Sequence, residues 1–213
     1  MTERHDYHID ATYEAPFLAH ACMEPLNATA DVRADGCDLY LATQNQTRSQ
    51  QTAMRLTGLP ENKVKVHTTY LGGGFGRRGD DDFLVDALEC SIAMGKPVKV
   101  IWSREDDFAN DYFRPANHCR IQAGLDNNGR VVAWSHKLTA PSVMTRLMPQ
   151  FVKNGVDPDA VSGIRDMPYS IPNQLVNYVM VNLPIPVGFW RSVGYSVNVF
   201  TVESFMDELA HAA

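Results

Sequence analysis

Apolar residues recur at every second position in several short runs of this chain, and at every third or fourth position in three longer ones. Alternation over 6–14 and across 27–43 predicts strands, the second stretch folding as a hairpin about Ala34-Asp35-Gly36. Residues 47–57 carry a helical pattern that stops at Gly58, with Pro60 beyond it. Val64–Thr68 then alternates like a strand. Asp80, Asp81 and Asp82 open a second helix, where carboxylates meet the positive end of the helix dipole. Leu84, Leu88 and Ile92 share one face of it, and Gly95 with Pro97 closes it. Val98–Trp102 has the pattern of a largely buried strand, and 117–125 with 130–138 predicts a hairpin about Asp126-Asn127-Asn128-Gly129. A polar, loop-rich stretch runs to about Pro172, a strand follows at 175–182, and 201–212 is helical. Strands and helices intermix without a regular βα repeat, so the predicted class is α+β. The sequence stops inside a helical pattern without a cap, which is the expectation for a truncated chain.

Composition narrows the partners more than the fold. At 213 residues, 45% hydrophobic and 21% charged, the chain has length for one large domain or two small ones, and none of the apolar depletion of disorder. A net charge of −6 with no basic stripe counts against nucleic acid. No apolar run is long enough for direct membrane insertion, and the opening Thr-Glu-Arg-His-Asp lacks the apolar centre of a signal peptide. The compartment is left open. Cys22, Cys37, Cys90 and Cys119 form no Cys-x-x-Cys pair, which argues against a zinc ribbon or an iron–sulfur cluster held by this chain.

Candidate chemistry concentrates in Gly72-Gly73-Gly74-Phe75-Gly76-Arg77-Arg78, between a strand and an acidic helix start. Glycines uncover the backbone, so an oxyanion can approach its N–H groups, and the arginines add planar cationic donors. Gly74 to Gly79 also fits Gly-x-Gly-x-x-Gly, which admits a second class, an NAD(P)-binding oxidoreductase domain. Three aspartates at the helix start oppose a pyrophosphate there. A plainer alternative is a glycine turn with Arg77 and Arg78 paired to Asp80–Asp82. His20 and Glu24 could form a metal or acid–base pair, but Pro25 favours a structural loop. Asp106, Asp107 and Asp111 could bind a cation, but a solvated face or helix start is the simpler reading. His118, Cys119 and His136 lie in hairpin strands with no metal-ligand partners in view, and no metal site is assigned.

Several motifs in one order carry more weight than the loop alone. They are His20-Ala-Cys-Met-Glu24-Pro25, Ala42-Thr43-Gln44, Leu71 to Arg78, Ser103-Arg104-Glu105-Asp106, and Gly188-Phe-Trp-Arg191-Ser-Val-Gly194. Together they resemble the molybdopterin-binding large subunit of the xanthine oxidase and aldehyde oxidase family of molybdenum hydroxylases. Within that family they are most similar to the isoquinoline 1-oxidoreductase beta-subunit group.

The resemblance implies an α+β fold of the molybdopterin-binding type, with mixed sheets and packed helices. Residues 1–213 would form the first cofactor-binding portion, without a preceding hammerhead domain or a C-terminal catalytic portion. It further implies a molybdenum-bearing molybdopterin, in the cytosine dinucleotide form, and 2Fe-2S clusters on a small partner subunit. The substrate would be an aldehyde or a nitrogen heterocycle, oxidised with water as oxygen source. Gln44 matches a residue that hydrogen-bonds an oxygen ligand of the metal. Gly74, Phe75, Gly76 and Arg77 match the loop beside it, and Arg191 matches an arginine alongside the cofactor. Gly79, Ala160 and Val193 stand where the purine-oxidising branch has a glutamate, an arginine and an aromatic, so a hydroxypurine substrate is not expected. No Gly-x-Gly-Glu segment with the general base is present, so no catalytic residue is assigned and the chain alone is expected to be inactive. A non-catalytic remnant of such an enzyme is the third class.

Overall fold

The computed structural model describes residues 7–213, which divide into two compact units, one of residues 19–112 and one joining the N-terminal strand to residues 113–213. In chain order the elements are β1 Tyr7–Ala15, β2 Asn27–Arg33, β3 Gly36–Leu41, α1 Gln46–Thr57, β4 Val64–Thr68, α2 Asp82–Met94 and β5 Val98–Ile101. They continue with α3 Arg104–Ala109, β6 Asn117–Leu125, β7 Val131–Ala140, α4 Met144–Leu147, β8 Asn173–Met180 and α5 Tyr195–Ala212.

The unit of residues 19–112 is a four-stranded sheet in the order β4-β3-β2-β5, packed against α1 and α2. β2 and β3 form the antiparallel hairpin, while β3 and β4 run parallel because α1 carries the chain back between them. Leu26, Ala28, Ala30, Leu39 and Leu41 meet Phe83, Leu84 and Leu88 in its core. α1 is capped by Asn45, whose side chain accepts from Arg48 N–H, and it ends at Gly58 with φ +73°. The Val98–Trp102 strand is less buried than its sequence suggests: β5 is the outer strand of the sheet, and Ile101 on its far face is 62% exposed.

The other unit orders its sheet β1-β6-β7-β8, antiparallel except for the β7–β8 pair. Cys119, Ile121, Trp134 and Leu138 point to one side, where α5 supplies Val202, Phe205 and Leu209. Trp134 and Phe205 meet edge to face, with ring centroids 5.2 Å apart. α5 starts six residues before the predicted 201. No capping side chain marks that start, because the helix continues directly from a turn through Gly194. No helix among the described residues is long and apolar enough to cross a membrane.

Candidate functional site

The chain leaves β4 through Tyr70, which is fully exposed, and enters the glycine loop pressed against two other segments. Gly72 N–H donates to Glu24 Oε2 at 2.8 Å, and Glu24 N–H donates back to Gly72 O at 3.0 Å. A Cβ at Gly72 would lie 2.3 Å from Glu24 Cβ, and one at Gly74 would lie 2.5 Å from Gln44 Oε1. Glycine is needed at both for close approach. Gly76 adopts φ +110°, and Phe75 before it sits at φ +53°, a backbone region that side chains rarely enter.

Gln44 holds the outer side of the loop at two points. Its backbone N–H donates to Arg78 O at 2.9 Å, and its side-chain Oε1 accepts from Gly76 N–H at 3.0 Å. With the oxygen fixed by that donor, the amide Nε2–H2 is the group Gln44 can offer elsewhere. The exposed edge of the site therefore presents N–H donors, which suit an oxygen acceptor.

Arg77 and Arg78 do not face a ligand with their guanidinium groups; they are 1% and 0% exposed. This corrects the expectation of two free cationic donors. Arg77 forks onto Asp82, at 2.8 and 2.6 Å, and its Nε lies 3.0 Å from Asp111 Oδ1, close enough for an ion pair but not aligned as a hydrogen bond. Arg78 donates to Gly73 O, to Glu24 O and to Glu24 Oε2, pairing with Glu24 rather than with the helix aspartates. The arginines staple the loop from behind.

The acidic residues complete this support. His20 Nδ1 lies 2.9 Å from Asp111 Oδ1, and His20 N–H donates to Asp111 Oδ2. Burial pushes the Asp111 carboxyl upward, but the His20 hydrogen bonds and Arg77 outweigh it and hold it below the usual range. Asp107, also buried, accepts from Arg104, whose other nitrogen donates to Cys22 O. Asp106 caps α3 reciprocally with Ser103. Only Asp106 is the solvated helix-start residue expected of the three; Asp107 and Asp111 are interior. Asp81 receives Ser49 and Thr52 hydroxyls at 2.9 and 3.0 Å, and burial keeps its carboxyl above the usual range. These long-range partners were invisible in the sequence, where each residue stands far from the group it meets.

The dinucleotide-binding alternative loses its context here. A short helical turn, Arg77–Gly79, and then Asp80 and Asp81 separate the glycines from α2, and the adjoining sheet is mixed rather than parallel.

In the other unit, Gly188 N–H donates to Phe113 O, and the chain then turns through Ser192 and Val193 at φ +71° and +47°. Gly194 ends that turn against Asp159 O, where a Cβ would sit at 1.9 Å. Arg191 is exposed, its guanidinium 5.7 Å from the Trp190 ring centroid. Ala160 and Val193 line one cavity of this unit, and Gly79 of the other unit has open space around it.

Comparison with known sequences and structures places this geometry in context. The profile of the molybdopterin cofactor-binding domain matches residues 1–213. Isoquinoline 1-oxidoreductase subunit beta of Brevundimonas diminuta is 36% identical over 204 residues, covering 94% of this chain and 25% of that protein. An aldehyde oxidoreductase molybdenum-binding subunit of Escherichia coli K12 is 30% identical over 210 residues, or 96% of this chain and 27% of the relative. The structure of quinoline 2-oxidoreductase from Pseudomonas putida 86 superposes with a TM-score of 0.83 at 20% identity, over 98% of this chain and 27% of that one. The chain spans about a quarter of the length of these relatives.

Proposed function

Because the chain belongs to the molybdopterin cofactor-binding domain family, we propose that it is the first cofactor-binding portion of a molybdenum hydroxylase. The intact enzyme would oxidise an aldehyde or a nitrogen-heteroaromatic carbon. When bound, the pterin-held molybdenum supplies a hydroxylation whose oxygen comes from water.

The observation that carries the reading is the Gln44–Gly76 hydrogen bond over a glycine cradle that a Cβ at Gly74 would fill. Gln44 Nε2 would offer a hydrogen bond to an oxygen of the bound cofactor, and the bare backbone of Gly74, Phe75 and Gly76 would let that group come near. Phe75, 40% exposed, lays its ring close to Gly73 at the open side of the loop. Arg77 acts through its main chain while its side chain anchors the loop to Asp82. Arg191, in the unit of residues 113–213, is proposed separately as a cofactor-binding residue on the strength of the resemblance. The chain contributes no general base; the remaining portions of the large subunit bring it. The pterin would be the cytosine dinucleotide form, and 2Fe-2S clusters on a small partner subunit would serve as the electron acceptor.

Purification of the intact protein carrying this chain, followed by acid–iodine oxidation and nucleotide release, tests the proposal. A fluorescent pterin with cytidine monophosphate, each near one per protein, is expected. Recovery of NAD or NADP instead, with no pterin, would overturn it.

A further inference from the structure

The unit containing residues 113–213 ends its sheet on β8, and no strand among the described residues pairs with the far edge of that strand. Val181 N–H donates to Ala140 O at 3.2 Å, which sets the direction of the neighbouring amides. Amides alternate sides along a strand, so Leu175, Asn177 and Val179 also face β7. The N–H and C=O groups of Gln174, Val176, Tyr178 and Met180 point the other way, to an open edge.

Open edges of folded proteins are ordinarily guarded by charge, proline or a bulge. The other outer strands carry charge: Asp10 and Glu14 on β1, Lys65 on β4 and Lys99 on β5. β8 reads Asn-Gln-Leu-Val-Asn-Tyr-Val-Met and carries neither charge nor proline. No charged residue stands anywhere between Asp166 and Arg191, in a chain that is 21% charged.

Both faces of β8 are apolar as well. Val176, Tyr178 and Met180 turn to the side that α5 covers, yet they are only half-buried, because α5 lies over β1 and β6. Leu175, Val179 and Val181 turn to the opposite side and are 60%, 38% and 41% exposed. On β1 that opposite face holds His8, Asp10, Thr12 and Glu14 instead. A strand apolar on both faces has the pattern of one buried within a sheet, not of one that ends it.

We propose that the free edge of β8 receives a further strand, apolar on both faces, from the part of the intact protein outside these 213 residues. This rests on the reading of the chain as one portion of a longer enzyme, since it spans about a quarter of its relatives. Main-chain hydrogen bonds supply the pairing, and side chains of the incoming strand cover Leu175, Val179 and Val181. A second copy offers the same edge, pairing β8 with β8 about a two-fold axis. A tethered segment wins that competition, because its effective concentration, on the order of millimolar for a short flexible link, exceeds that of a free partner.

The test is hydrogen exchange, resolved to single amides, on the intact protein carrying this chain, purified free of other subunits. Asn177 and Val179, bonded to β7, report that the sheet is formed. Val176 and Tyr178 are expected to exchange as slowly as those two, at least about a hundredfold slower than open amides, and to be unaffected by dilution. Fast exchange at Val176 and Tyr178, with Asn177 and Val179 still protected, would show an open edge and overturn the proposal. Protection lost when dilution makes the protein monomeric would overturn it in favour of a second copy. Protection that appears only on adding a partner subunit would overturn it in favour of that subunit. Molybdenum in the same sample is measured apart. An open edge in a molybdenum-bearing protein sinks this inference alone, and a protected edge without molybdenum sinks only the cofactor reading.

Discussion

Gln44 Oε1 accepts the backbone N–H of Gly76 at 3.0 Å, which fixes the Gln44 amide in one orientation with its nitrogen turned away from the loop. Gly74 makes this contact possible, since the Gln44 amide passes over the place where a Cβ would be.

Gly74→Ala should therefore disturb the site, while Gly79→Ala should not. The first puts a methyl 2.5 Å from Gln44 Oε1; the second meets nothing within 4 Å and has no left-handed φ to strain it. Gly79→Ala is expected to be neutral or to stabilise by about 0.4–1 kcal/mol by restricting the unfolded chain. Gly74→Ala should lower the melting temperature and the cofactor content together. Thermal unfolding of both variants, with metal analysis of the intact protein, checks the contrast.

The buried arginines should dominate loop stability. Arg78→Met leaves Glu24 and the carbonyls of Gly73 and Glu24 without their donor, at a cost of about 3–5 kcal/mol. Arg48 pairs with Asp80 and Asp81 from a side chain 41% exposed, so Arg48→Met should cost no more than about 1 kcal/mol. Urea unfolding of the two variants separates them.

His136 and Asp159 should give opposing pH dependences. His136 is fully buried with neither ring nitrogen bonded, and burial lowers its pKa from 6.5 to about 4. The unfolded chain then binds the extra proton, so this contribution is intact above 6.5 and is lost as pH falls towards 4, on the order of 3 kcal/mol in all. Asp159, raised from 3.8 to about 6, binds its proton in the folded state, so its contribution is lost as pH rises over that interval. The two slopes oppose each other between pH 4 and 6. His136→Leu should leave stability falling with pH there, and Asp159→Asn should leave it rising. Denaturation at several pH values reads the signs, and an unchanged slope in either variant contradicts the assignment.

The elements that sequence foretold are those written locally. Gly58 and Gly95 end helices because each takes the left-handed conformation, and Asp126–Gly129 turns the β6–β7 hairpin through its own hydrogen bonds. Gln44 and the glycine loop were also visible, since glycine density and motif order are properties of the string. The pairing of Arg77 with Asp82 was legible as the plainer alternative, whereas its approach to Asp111 and the pairing of Arg78 with Glu24 were not, because those partners are brought in only by folding. The start of α5 was missed because Gly194 is there for contact with Asp159, not as a cap. Arg114, Asn117 and Trp190 line one cavity of their unit, and no pattern in the string joins them.

Molybdenum per protein in the intact protein carrying this chain, unaltered and as Gly74→Val, is the deciding measurement. Near one molybdenum per protein falling to a small fraction in Gly74→Val, with Gly79→Ala unaffected, is the expected result. Equal molybdenum in all three, or none in the unaltered protein produced where the cofactor is made, would contradict the assignment of this loop to the cofactor.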